Sequence, residues 1–226
     1  MAGYMYLGSK KVCPVIEYVP FGFPVGAFMG YVDSNGKLQK YDDSGYTKDI
    51  VLSGFTDVGD EVLFFLFGSV NISSNNVILK DLIKVSGDYA LAYFLDGCKF
   101  KNFSAPLLEE ITGDESFELF CRDSDVEVLL FPKLSRLYGS EVFFGCLYDC
   151  KKVKDVYFNS LTSTSFGSNT NQFYRLCKAT TASESGTCTI HFPSNLESTI
   201  SGLNGYPNFG GENGRIVLAY DLPATE

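Results

Sequence analysis

Apolar residues recur through the middle of the chain at a step of 26. Leu82, Leu108 and Leu134 form one column, and Val85, Ile111 and Leu137 a second. Leu91, Phe117 and Phe143 form a third, and Phe94, Phe120 and Cys146 a fourth. Gly87, Gly113 and Gly139 keep the same step, as do Cys98, Ser124 and Cys150. Six columns holding one register through three copies describe one unit, repeated. A step in the twenties is the length of stacked units that carry one strand each, as in leucine-rich repeats.

Within a copy, Leu108-Glu-Glu-Ile111-Thr-Gly113 runs apolar, two spacers, apolar, one spacer, glycine. A glycine at a fixed place marks either a positive φ or a close approach to the next coil. The apolar pairs three apart that follow, such as Phe117 and Phe120, predict a short helical or 3₁₀ turn with one face inward. A β-rich run comes next, Val126 to Phe131 or Val153 to Phe158. Such a unit cannot bury its apolar face alone, so the units must stack. The expected fold is therefore β-rich: an α+β solenoid of four to five coils.

The corner Phe131-Pro-Lys-Leu134 returns as Phe158-Asn-Ser-Leu161 and Phe192-Pro-Ser-Asn-Leu196, at steps of 27 and 34. The extra residues, Ser163 to Asn171 and Thr180 to Thr187, read as loops leaving one side of the stack. Residues 1–68 lack the repeat and predict a small N-terminal β module. Its clearest signal is Asn35-Gly36 between Phe28–Val32 and Lys37–Tyr41, a hairpin. Ile50–Leu52 and Val62–Phe67 are further strand candidates. Residues 69–226 then form the solenoid, ending in a capping strand over Arg215–Tyr220.

The stretch from Val85 to Lys101, with its aromatic, its Cys98 and its strand, resembles the repeat of BspA-like leucine-rich-repeat proteins. The resemblance spans about Val77 to Ile200. Such repeats occur in bacterial surface adhesins and in phage structural proteins, so it implies recognition or scaffolding. Met5 to Val15, Ile190 to Ile200 and Asp221 to Glu226 resemble proteins encoded in tail regions of gut-bacterial phages and prophages. That likeness implies a virion setting.

Composition narrows the partners. With 226 residues, 45% hydrophobic, the chain can bury a sizeable core, and 20 Phe and 14 Tyr without Trp suit a β-rich one. A net charge of −9 disfavours contact with a nucleic-acid backbone or an anionic membrane. The longest apolar run, Val62 to Phe67, is far too short for a membrane helix. The opening residues lack the basic start and apolar core of a secretory signal, an expectation that favours cytoplasmic synthesis followed by assembly.

Chemistry is sparse. Seven cysteines cannot all pair, and their interchange with Ser and Phe in the columns points to buried core thiols. Cys146/Cys150 and Cys177/Cys188 lack the spacing of a zinc site. His191, the sole histidine, faces away from Ile190, Phe192 and Cys188 in an alternating strand. Glu109, Glu110, Asp114, Glu115 and Asp123 are the candidate glycosidase carboxylates, all in spacer positions where solvent-facing charge is expected. Asp123-Ser-Asp125-Val-Glu127 resembles alternating calcium ligands without the glycine and closing acid of an EF-hand. Lys151-Lys152 is too small a basic patch for nucleic acid.

No catalytic residue, metal site or cofactor is expected. The reading is a phage or prophage virion protein, tail-associated, that presents a recognition surface to the bacterial host. The alternatives are a secreted BspA-like surface adhesin and a purely structural virion decoration. Partners would be other virion proteins, a host surface protein or glycan, or further copies of this chain in a homo-oligomer, without nucleic acid or membrane insertion. The location would be the virion, or for the adhesin the bacterial cell surface. Tyr174, Asn204, Tyr206 and Asn208 are the candidate ligand contacts, since their loops leave the core register and pair aromatic area with adaptable amides.

Overall fold

The computed structural model describes residues 49–68, 73, 75–177, 187–211 and 215–225 in full, and four N-terminal strands by their backbone. Of these, β1 (Gly3–Leu7) pairs antiparallel with β2 (Lys10–Val15), and β3 (Gly30–Val32) with β4 (Leu38–Lys40). The second pair is the hairpin expected around Asn35-Gly36, whose turn lies outside the described residues. In chain order there follow β5 (Ile50–Leu52), β6 (Asp57–Val58), β7 (Asn76–Leu79), β8 (Lys84–Val85) and β9 (Asn102–Ser104). Then come β10 (Glu110–Ile111), β11 (Val128–Leu130), β12 (Arg136–Leu137), β13 (Asp155–Tyr157), β14 (Cys188–Pro193), α1 (Glu197–Ile200) and β15 (Ile216–Leu222).

The chain from β5 onward winds into a parallel β-solenoid of about six turns. One wall is a seven-stranded parallel sheet in the order β15-β14-β13-β11-β9-β7-β5. A second wall is a narrow sheet in the order β12-β10-β8-β6. In it Val58, Val85, Ile111 and Leu137 lie in register, so the sequence column continues one coil earlier than the repeat announced. Leu82, Leu108 and Leu134 are fully buried beneath this wall.

The third wall departs from expectation. Where helical turns were predicted, the chain makes overlapping β-turns. In the second coil the amides of Ala92, Phe94, Asp96 and Cys98 each bond the carbonyl three residues back, at 3.1–3.2 Å. The amides between them, of Tyr89, Leu91, Tyr93, Leu95 and Gly97, point along the stack instead. They bond the carbonyls of Asp114, Ser116, Glu118, Phe120 and Arg122 at 2.7–3.0 Å. A 3₁₀ helix would use every amide within its own coil. Here a positive φ at each fourth residue (Tyr89 52°, Tyr93 56°, Gly97 70°) turns alternate amides outward. Apolar periodicity of three cannot tell these two conformations apart. The sole helix among the described residues is the four-residue α1, so the α+β label is not borne out.

Two further corrections follow. Val62–Phe67 was expected as a strand but forms the turn wall of the first coil, bonded to Ala90, Ala92 and Phe94. That coil, beginning near Asp49, belongs to the stack, so the boundary drawn at 68 cuts through the solenoid. Its step of 27–28 residues to the next coil hid it from a 26-residue register. Val70–Ile72 and Thr180–Gly186 lie outside the described residues.

Inside, phenylalanines stack coil on coil. Phe131 and Phe158 lie 5.4 Å apart and nearly parallel, Phe158 and Phe192 5.7 Å, and Phe192 and Tyr220 6.0 Å. A parallel line runs Phe117, Phe143, Phe173, Phe209 at 5.3–5.6 Å. Each fully buried ring contributes about 2–3 kcal/mol through apolar area removed from water. At the last coil the cover thins: Ile216, Leu218 and Tyr220 are only half-buried, and β15 is the outermost strand of its sheet.

Candidate functional site

The outer surface is organised by the same stacking, with polar side chains bonding from coil to coil. Asp60 Oδ1 accepts the Asp88 amide at 2.9 Å, Asp88 the Asp114 amide at 2.7 Å, and Asp114 the Ser140 amide at 2.6 Å. Charges alternate in sign along other columns. Glu110 is held between Lys84 (2.7 Å) and Arg136 (2.5 Å), and the Lys84 hydrogen bond, aided by Arg136, keeps its carboxyl below the ordinary range. Arg122 grips the buried Asp96 through two bonds of 2.8 and 2.7 Å, with its guanidinium 5.2 Å from the Tyr93 ring centre. Tyr89 donates to Glu115 at 3.0 Å, and that acceptor pushes its phenol up to about 12.

These contacts account for most of the carboxylates that the sequence offered as catalytic candidates. Glu110, Asp114 and Glu115 serve three different columns. Asp123 lines a cavity, together with Asp125 and Asp149.

His191 sits on the outward face of β14, opposite Ile190 and Phe192, as the alternation predicted. Its Nε2 lies 3.1 Å from Asp155 and its Nδ1 2.9 Å from Asp221, on the strands to either side. Tyr157 stacks on the imidazole at 4.3 Å. The two carboxylates lie on opposite edges of the ring, which makes a brace across three strands and not a converging set of ligands. Among the described residues no group of His, Cys, Asp and Glu converges to hold a metal ion.

Six cysteines (Cys98, Cys121, Cys146, Cys150, Cys177 and Cys188) are buried thiols. Burial pushes the thiols of Cys121 and Cys150 well up; for Cys177 the neighbouring Cys188 and burial act together. The Cys121 and Cys150 thiols donate to the carbonyls of Cys146 and Cys121, each at 3.0 Å. They are core groups.

The four residues chosen from sequence meet on the turn wall of the last two coils. Asn204 ties one coil to the next: its amide nitrogen bonds Asn171 at 2.6 Å and Thr170 at 3.1 Å, while its backbone bonds Thr170 at 2.9 Å. Asn208 accepts the Gly210 amide at 3.3 Å and so shapes its own turn. Tyr174 is half-buried, with the Arg175 guanidinium 5.0 Å from its ring centre and Phe144 at 6.3 Å. Asn204 and Tyr206 are exposed, Tyr206 with 41% of its surface open to solvent. The four thus lie on turns of the last two coils, a rim in which Asn204 ties neighbouring turns together and Asn208 shapes its own.

One feature escaped the sequence reading. A furrow crosses the corner between the turn wall and the seven-stranded sheet. Its larger part, about 360 Å³, is lined by Ser73, Asn75, Lys99, Lys101, Asp125, Glu127 and Lys152, with Phe100 at the base. A second part of about 250 Å³ continues it past Asp123, Asp149 and Lys151, sharing Asp125 and Lys152. Aligning the columns would have shown it, since successive 26-residue steps set Lys99, Asp125 and Lys151 side by side. Lys151-Lys152 read alone looked like an isolated basic pair.

Comparison of the chain with protein-family models, with curated proteins and with solved structures returned no match. Among the described residues no helix is long and apolar enough to cross a membrane.

Proposed function

We infer that the chain is a recognition protein without catalytic activity, built into a phage or prophage virion and tail-associated, that presents its outer surface to the bacterial host. The observation that carries the recognition role is the rim on the last two coils. A scaffold cross-bonded along its whole length holds Tyr174 and Tyr206 on turns fixed by Asn204 and Asn208. Rigid aromatic area on a preorganised backbone binds with little ordering cost. The virion setting is supported by the likeness of the chain ends to phage tail-region proteins. The likeness of the repeats to BspA-like proteins equally supports a secreted adhesin, and a structural decoration would use the scaffold without the rim.

Mass spectrometry of purified particles beside host envelope fractions tests the setting. Recovery with the particles is expected. Recovery from the envelope of prophage-free cells would overturn the virion role in favour of the adhesin. Binding of the purified chain to intact host cells tests recognition itself, and its absence would leave only the decoration.

A further inference from the structure

We propose that the corner furrow is a binding site for an acidic oligosaccharide, one whose anionic substituent lies between Lys99 and Lys101. The proposal rests on the recognition reading above and names the ligand chemistry of a second surface.

The charges of the furrow are unevenly satisfied. Asp125 is held by Lys152 at 2.9 Å, and Glu127 by Lys154 at 2.5 Å. Lys154, with smaller help from Lys101 and Lys152, keeps the Glu127 carboxyl below the ordinary range. Lys99 and Lys101 are both exposed and, among the described residues, take part in no ion pair. In a chain of net charge −9, this end of the furrow therefore carries two exposed cations outside any ion pair among the described residues. The other end sets Asp123, Asp125 and Asp149 against Lys151 and Lys152. There burial, and then the hydrogen bond with Asp149, push the Asp123 carboxyl up.

The remaining lining consists of hydrogen-bonding groups: the Ser73 hydroxyl, the Asn75 amide, and carboxylate oxygens of Asp125 and Glu127 beyond those their lysines use. Such a lining accepts from hydroxyl donors. A peptide or polymer with closely spaced negative charges would find Asp123, Asp125, Glu127 and Asp149 interspersed among the lysines along the furrow, a pattern that sparse charge avoids. A nucleobase would need an aromatic face to stack on, and Phe100 is 1% exposed. A ligand with sparse negative charge and many hydroxyls satisfies both ends, and a saccharide with one carboxylate or phosphate per few sugars has that make-up. The larger cavity falls within the ordinary range for a small-ligand site, roughly 300–1,000 Å³.

Calorimetric titration of the full chain tests this with three probes: a trisaccharide bearing one glucuronic acid, the same trisaccharide bearing one sugar phosphate, and the neutral parent. At least one acidic probe is expected to bind about tenfold or more tightly than the parent, and which of them does so identifies the substituent. Lys99→Gln/Lys101→Gln is expected to weaken that binding about tenfold or more, while Lys133→Gln, an exposed lysine on another corner, leaves it unchanged. Both furrow lysines are exposed, so unchanged circular dichroism is expected of the double variant. Failure of both acidic probes to bind, or binding that survives the double substitution or responds equally to Lys133→Gln, would overturn the proposal. If the chain still binds host cells while no acidic probe binds, the furrow assignment fails and the recognition role stands.

Discussion

A Cβ on Gly113 would lie 1.9 Å from the carbonyl oxygen of Gly87. The same holds one coil earlier, where Gly87 would strike the Gly59 carbonyl carbon at 1.9 Å, and one later, where Gly139 would meet the Gly113 oxygen at 2.1 Å. The glycine column is thus a seam of backbone on backbone, and neither side can move without breaking the ladders beside it. Gly113→Ala is expected to destabilise the chain by about 3 kcal/mol, the upper range for overpacking. Gly202→Ala, whose nearest neighbour would be 3.4 Å away, should fall within about 0.5 kcal/mol of the parent. Urea unfolding of the two variants checks this, and equal stabilities would contradict the seam.

This seam shows how far the sequence could be read. A fixed glycine admitted two explanations, a positive φ or a close approach, and composition could not choose between them; contact with the preceding coil does. The buried columns were legible because apolar residues repeat with the step. The first coil was not, because one or two extra residues shift Val58 and Gly59 out of the 26-residue register although they join the same columns. The turn wall was misread because Leu91 and Phe94 face inward in either conformation, and the sense of φ leaves no mark on apolar spacing. The rim residues could be picked as departures from the register. The furrow takes its lining from four coils, so no single segment announces it; only the columns laid side by side bring Lys99, Asp125 and Lys151 together.

The Arg122–Asp96 pair joins two coils at a site where only one partner reaches water. Asp96's side chain is 6% exposed and Arg122's 35%. Arg122→Met leaves a buried carboxylate without its counter-charge. Discounted for the half-open guanidinium, the cost is about 1–2 kcal/mol. Asp96→Asn in the same background should recover part of it, since a neutral amide carries no ionic desolvation penalty. A double-mutant cycle in urea measures the coupling, and strict additivity would show the pair to be idle.

Acid should weaken the fold through particular glutamates. Glu110 and Glu127 are lowered in the folded chain, chiefly by hydrogen bonds from Lys84 and Lys154. A lowered carboxyl contributes stability that is present above its unfolded value and lost as pH falls through the folded one. Glu118 has the opposite sign: burial, with Glu115 and Glu141 nearby, raises it, so its contribution is present below the unfolded value and lost as pH rises through the folded one. Melting temperatures between about pH 6 and about pH 3 should therefore fall less for Glu110→Gln than for the parent. Glu118→Gln should melt higher at neutral pH and fall more steeply in acid. Parallel curves for all three would contradict the assignment.

The six buried thiols should stay silent toward alkylating reagents while the chain is folded. Only the thiolate reacts, and burial pushes Cys121 and Cys150 well above their ordinary value while the backbone carbonyls they donate to hold the protonated form in place. Peptide mapping after brief exposure to iodoacetamide is expected to find these positions unmodified in buffer and fully modified in denaturant. Rapid labelling of Cys121 or Cys150 in buffer would mean that the coil interior opens far more readily than its packing allows.

The rim separates holding from touching, and two substitutions can tell them apart. Asn204 bonds Thr170 and Asn171 through side chain and backbone, so Asn204→Ala removes two side-chain bonds between coils. It should cost about 1 kcal/mol, and lower host-cell binding only to the extent that the rim loosens. Tyr206 has a large exposed face, and its removal disturbs no side-chain hydrogen bond among the described residues. If the rim meets a ligand, Tyr206→Ala should leave the unfolding midpoint within about 0.5 kcal/mol of the parent yet weaken binding by about tenfold, the size of an aromatic anchor. Stability and binding are thus expected to separate in one variant and to move together in the other. Binding that survives Tyr206→Ala and Tyr174→Ala alike would remove the rim from the contact, and would leave the furrow across the corner as the surface on which recognition must act.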